Sequence, residues 1–261
     1  MDLCAETRND WVIGIRTWTL GADLTSLAIN QSFLISVVVG LAVVGCSGRS
    51  TLPRQRVGSL DGSVTIHGDV WADNWFALYL GDRLLVEDSV SIKTERSFNA
   101  ESFSFKADYP IVLNLIAKDF KENDSGLEYI GTRKQQLGDG GLIAQFRDAA
   151  TGQLIAGTNA KWQCYVIHRG PLDRQCAAQD SPVVGEGPCE FTSIDEPAGW
   201  KSIDYSTSDW SLATEFTESD VRPKDGYDRV DWDWGAKLIW SEDLEKDNTV
   251  LFRVVINGPG N

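Results

Sequence analysis

The stretch that most restricts the fold of this 261-residue chain runs from Asp108 to His168, where two short apolar runs flank a long polar loop. In the first run Ile111, Leu113, Leu115 and Ala117 occupy alternate positions, the period of a β-strand with one buried face. Leu142, Ile143, Ala144 and Phe146 form the second run, entered through the glycine-rich Gly138–Gly141 segment and followed by a tight turn at Ala150–Gly152. Roughly twenty mostly polar residues lie between them, and a loop of that length in a compact domain is usually functional or disordered. It carries Tyr129 and Ile130, which a disordered linker rarely spends. The spacing therefore predicts an ordered, exposed binding loop that offers Tyr129, Arg133, Gln135 and Gln136 to a ligand.

The rest of the chain repeats the same period. Val64, Ile66 and Gly68 alternate, as do Phe103 with Phe105, and Trp162, Cys164 and Val166. Trp75–Leu80 and Arg83–Val86 read as a hairpin about a Gly81-Asp82 turn. Ala236–Trp240 and Asn248–Arg253 read as a closing pair of strands through A-x-x-I-W and x-x-V-x-F-R motifs rather than through alternation. No long helical pattern, internal repeat or low-complexity tract interrupts them. Short strands with a turn signal every ten or so residues predict an all-β sandwich, one domain over residues 61–261 with long insertions at 119–139 and 168–199.

Several motifs in order carry a family resemblance. Ala72, Asp73, Asn74, Phe76, Leu78, Tyr79, Gly81 and Leu84 form an A-D-N-x-F-x-L-Y-x-G-x-x-L hairpin; Asn114, Ile116, Ala117, Gly140–Gln145 and Ala160–Trp162 follow. Gly199, Trp200, Tyr205, Ser206, Trp210 and Ala213 fall on a G-W…W-x-x-A box, with Tyr205-Ser206-Thr207-Ser208 where the pattern has F-D-D-S. The chain resembles the galactose-binding-domain-like jelly-roll modules that accompany bacterial rhamnosidase-type glycosidases, across roughly residues 64–256. The resemblance implies a single jelly-roll β-sandwich, a glycan or other small-molecule ligand, no required cofactor and no catalysis. It also implies that the Asp73-Asn74 hairpin is structural, near one rim of the sandwich.

Phe33–Gly45 is an apolar run of signal-peptide size, too short for a comfortable membrane span. Val43-Val44-Gly45-Cys46 resembles a bacterial lipobox. The expectation is a leader and signal peptide over 1–45, a true start downstream of Met1, lipidation at Cys46, and a tether over 46–60 rich in polar residues, Pro and Gly. Such a protein is exported to the cell envelope or surface and meets the membrane only through its lipid. Export favours disulfides. Cys176 with Cys189 would close the loop between them, while Cys164 could be a buried thiol or the partner of Cys176.

A net charge of −14 repels phosphate backbones and argues against nucleic acid as a partner. Three chemistries remain. For glycan, Trp232 and Trp234 at alternate positions would put two rings on one strand face, beside the polar groups of the 119–139 loop. For calcium, the acidic turns carrying Asp119, Glu122, Asp124 and Asp139 supply oxygen ligands, without EF-hand spacing. For copper, His67 and His168 are the only imidazoles. That pair distantly resembles the two-histidine surface copper proteins of methanotrophs, although Thr65 and Val166 stand where those carry Trp. Only two histidines and no G-x-S-x-G elbow leave little for hydrolytic catalysis. A glycosidase would need two carboxyls at a set separation. The sequence thus reads as a binding protein rather than an enzyme, with a scaffold domain as the remaining alternative.

Overall fold

The computed structural model describes residues 61–93 and 98–258, with the backbone of a short strand at 56–57. The leader, the lipobox Cys46 and nearly all of the tether lie outside the described residues. The tether's Arg56–Val57 (β1) adds in parallel to the edge of a sheet. The strands that follow are β2 (Val64–Asp73), β3 (Trp75–Leu80), β4 (Arg83–Glu87), β5 (Ala100–Ala107), β6 (Ile111–Lys118), β7 (Gly141–Asp148), β8 (Leu154–Gly157) and β9 (Gln163–Arg169). Then come β10 (Thr192–Ser193), β11 (Ser211–Leu212), β12 (Thr214–Phe216), the one-turn helix α1 (Glu218–Val221), β13 (Leu238–Trp240) and β14 (Asp247–Ile256).

They form two seven-stranded, largely antiparallel sheets. One runs β1-β5-β2-β7-β13-β12 with β8 on β7; the other runs β10-β9-β14-β6-β3-β4 with β11 on β9. The predicted β-sandwich is present. Its core lies between the sheets, where Ile66, Val70, Phe105 and Phe146 of the first meet Phe76, Leu113, Leu115 and Phe252 of the second. Alternation along β2 explains the split: Ile66, Val70 and Ala72 point inward, and His67, Asp69, Trp71 and Asp73 point out. Gly68 is required inside, because a Cβ there would lie 2.7 Å from the Phe103 ring.

The sequence period suggests one buried face for the central strands, yet β6 and β7 are buried on both. The irregular C-terminal segments cover the outer faces. Val221, Tyr227, Trp232 and Ala236 pack over Trp71 and Ile143, while Trp200, Tyr205 and Trp210 pack over Ile116 and Leu251. Burying an aromatic such as Trp71 or Trp200 contributes on the order of 2–3 kcal/mol, enough to hold a segment with little secondary structure of its own. Buried Arg253 fastens the second cover. It donates to Asn114 Oδ1 at 2.7 Å and to the Ser202 carbonyl at 2.7 Å, with the Trp200 and Ile203 carbonyls near 3.3 Å.

Candidate functional site: one rim of the sandwich

Strand register gathers the polar chemistry at one end of the fold. Asp73 closes β2 opposite Gly141, so residues 138–140 arrive beside it. Trp75 opens β3 opposite Lys118, which brings Asp119 to the same place. The Asp119 amide donates to the Asn248 carbonyl at 2.9 Å, adding the start of β14. Asp247 in turn pairs with Arg169, so the end of β9 and its His168 join the rim.

A cavity of about 720 Å³ opens here. Ile116, Ile167 and Ile194 give it an apolar wall, half-buried Phe120 lines it, and Lys93, Lys118, Lys121, Glu122, Asp124 and Glu196 supply charge. Buried His168 also lines it, stacked on Phe191 with ring centroids 5.7 Å apart. With the Asn248 amide oriented to donate to His168 Nδ1 (3.0 Å) and the Gly170 carbonyl (3.0 Å), Nδ1 is the acceptor. Burial, followed by the charge of Lys121, lowers the His168 pKa. A neutral ring then carries its proton on Nε2, which lies 3.5 Å from Asp124 Oδ1 and makes no formed hydrogen bond. Lys118 rests 5.1 Å from the centre of the Trp75 ring. Glu196 accepts from Trp200 Nε1 at 2.8 Å and Lys201 Nζ at 3.0 Å; these bonds lower its pKa against the opposing effect of burial. The cavity therefore presents fixed donors and acceptors over an apolar floor, the usual make-up of a small-ligand site.

Behind it sits a second group. Asp73, Asp119 and Asp139 each bring a carboxylate oxygen within 4.8 Å of the others. Lys224 Nζ lies 3.1 Å from Asp73 Oδ2 and 2.9 Å from Asp139 Oδ2. Asp119 Oδ2 accepts from the Asp139 amide at 3.1 Å. The approach is close enough to need glycine at 138, where a Cβ would fall 1.8 Å from Asp119 Oδ2. Burial, then Asp139, raises the Asp73 pKa to about 8; burial, then Asp73 and buried Glu128, holds Asp119 well above the carboxylate range.

The 119–139 loop is ordered but serves as scaffold more than as an exposed platform. Its Leu127, Ile130 and Leu137 pack on the Cys176–Cys189 disulfide, which ties the 168–199 insertion to the loop. Gln135 Nε2 donates to the Ala177 and Gln179 carbonyls, and its Oε1 accepts from Gly131 N. Gln136 donates to Glu128 at 2.8 Å. Tyr129 is half-buried with a left-handed φ of 52°, its carbonyl taken by Thr132; Arg133 is exposed. Gln135 thus spends its amide within the fold, as a long irregular backbone must be satisfied, while exposed Gln136 commits only its Nε2.

Three further expectations change. The Asp231–Trp234 run is a loop, not a strand, so its rings share no face. Trp232 is half-buried against Tyr227 and donates to its carbonyl at 2.9 Å, whereas Trp234 is 86% exposed. His67 lies on the outer face of β2, 3.3 Å from Ser104 Oγ, while His168 belongs to the other sheet. Among the described residues they share no hydrogen-bond or ion-pair partner. Of the four acids expected to bind calcium, Asp119 and Asp139 converge, with Asp73 as their third member; Glu122 and Asp124 are exposed and line the cavity. Cys164 is a free, buried thiol whose pKa burial pushes up to about 12.

The sequence did not single out Lys118, Lys224 or Glu196. Lys118 and Asp119 are adjacent at a strand end, which was a usable signal; Lys224 sits in an irregular segment that offers none. No protein-family model, curated protein or solved structure matches the chain. Fold and site define a two-sheet β-sandwich with a polar cleft and an acidic cluster at one rim.

Proposed function

We propose that this is an exported, lipid-anchored, non-catalytic binding protein of the jelly-roll, galactose-binding-domain-like kind, and that its ligand is a glycan. The carrying observation is the 720 Å³ rim cavity, in which an apolar wall stands beside lysines, carboxylates and a buried imidazole donor. Sugars present that combination in reverse, with C–H faces for Phe120 and the isoleucines and hydroxyls for Lys118 and Glu196. The Cys176–Cys189 disulfide supports export, because such bonds persist in oxidising compartments. Cys46 is the proposed lipidation site.

The test is a glycan array on the full chain, followed by calorimetry of any hit. Lys118→Ala and Glu196→Gln should each weaken binding by about tenfold, or about 1.4 kcal/mol. A hit whose affinity ignores both substitutions, or an array with no hit, would remove the glycan reading.

A further inference from the structure

The acidic cluster poses a question of charge that the glycan cleft does not answer. Asp73 and Asp119 are 0% and 2% exposed. Their second oxygens are engaged, with Lys224 on Asp73 Oδ2 and Asp139 Oδ2, and the Asp139 amide on Asp119 Oδ2. The Oδ1 atoms of Asp73, Asp119 and Asp139 are all buried, and none has a hydrogen-bond partner among the described residues. Desolvated carboxylate oxygens left in this state are costly. A single ammonium shared by two of three carboxylates does not balance them, and buried Glu128 adds to the negative field.

We propose that Asp73, Asp119 and Asp139 form a binding site for a hard divalent cation of the calcium kind, with Lys224 as the internal cation that holds the acids together when the ion is absent. The donor set is all carboxylate oxygen, without imidazole or thiolate, which favours calcium-like ions over zinc or copper. Calcium–oxygen bonds of about 2.3–2.6 Å let two ligand oxygens on opposite sides of one ion stand roughly 5 Å apart. The 4.8 Å limit on the cluster's ligand atoms fits within that span. Access runs past Asp139, whose side chain is 35% exposed and which lines a separate cavity of about 420 Å³ with Phe216, Arg222 and Glu242. The raised proton affinity of Asp73 and Asp119 is consistent with this field, since the same excess of negative charge attracts a proton or a cation. This site is independent of the glycan reading.

The decisive experiment is terbium luminescence of the chelator-treated full chain, excited through tryptophan. Trp240 packs against Gly140, next to Asp139 in the chain, and is placed to sensitise the ion. Expected are saturable emission, reversal by calcium chloride, and a melting temperature that rises with millimolar calcium. Asp119→Asn should weaken both responses by more than about tenfold. Lys224→Met should strengthen binding by about tenfold, because it removes a competing unit charge. If Asp119→Asn does not fold, Asp139→Asn at the more exposed ligand takes its place. The proposal is overturned if terbium gives no saturable signal, if calcium leaves the melting temperature unchanged, or if binding is the same in the Asp variants, which would put the ion elsewhere and leave protons as the neutralising species.

Discussion

Two buried acidic sites lie a short way apart on the same rim, and they are built on opposite plans. At Asp247 the carboxylate is fully buried, and every oxygen is used. Arg169 engages it through Nε and Nη2, the latter at 2.9 Å from Oδ2, and Ser241 Oγ donates at 2.5 Å. At Asp73–Asp119–Asp139 one lysine meets two of three carboxylates, and an oxygen on each is left without a partner among the described residues. The first arrangement closes its electrostatics internally and anchors β9 to β14. The second is electrostatically incomplete. Buried aspartates thus give a strut in one place and a candidate site in the other, and what separates them is the count of partners.

The largest effect should come from breaking the complete site. Arg169→Ala leaves Asp247 buried without its cation and should cost about 3 kcal/mol, read as a lower urea midpoint. Carboxamide substitution then sharpens the contrast by sign. In chelator, Asp247→Asn exchanges an ionic acceptor for a weaker one beside Arg169 and should lose about 2 kcal/mol. Under the same conditions Asp119→Asn keeps an acceptor for the Asp139 amide and turns the unpartnered oxygen into a donor facing carboxylates. It should gain about 1 kcal/mol. Two losses would mean that both sites are struts.

How much of this could be read from the sequence follows from what register controls. Strands β2, β5, β6 and β9 announced themselves through alternating apolar residues, because each has an inner face against one common core, whereas β3 and β7 were read from a hairpin turn and an apolar run, and β14 from a family motif. The second buried face of β6 and β7 was invisible, since it depends on Trp200, Trp210 and Trp232 arriving from segments with no period at all. The site was half legible for the same reason. Asp119 and Asp139 stood out in a long polar loop, but their meeting with Asp73 is a consequence of pairing β2 with β7 and β3 with β6. Lys224 comes from 105 residues beyond Asp119 in an irregular stretch. The binding loop was misjudged because a polar side chain is read from sequence as available. Gln135 shows that an ordered loop can spend a side-chain amide on a neighbouring segment's backbone.

Asp88 supplies a control: a buried acid with an unpartnered oxygen but no cluster around it. It is 5% exposed, its Oδ1 accepts from Val90 N at 2.8 Å, and its Oδ2 has no partner among the described residues. Burial raises its pKa to about 8, with a smaller contribution from Glu101. The folded chain therefore keeps a proton that the unfolded chain releases near the ordinary aspartate value of 3.8. Between about pH 4 and pH 8 the native state binds more protons, so this group makes stability fall as pH rises through that window and adds no slope outside it. Asp88→Asn should flatten that segment of a stability–pH profile and gain about 1 kcal/mol at pH 8. It should not alter any response to calcium. A calcium response lost in Asp88→Asn would erase the distinction between one unpartnered acid and three that converge.

The smallest expected effect concerns the aromatic that sequence placed in the binding face. Trp234 is 86% exposed, and its only described ring contact is Lys237 Nζ, 5.8 Å from the ring centre. Its neighbour Trp232 is held against Tyr227 over Trp71 and anchors the outer cover of the first sheet. An exposed ring with so little contact area contributes little to folding, so Trp234→Ala should change stability by less than about 0.5 kcal/mol. It does not line the rim cavity, and glycan affinity should stay within about twofold of the wild type, because ligand recognition is assigned to Lys118 and Glu196. Calorimetry on the variant separates the two surfaces directly. A large loss of affinity would move glycan binding from the rim to the Trp234 loop, and the acidic cluster would then be the one built site left on the rim.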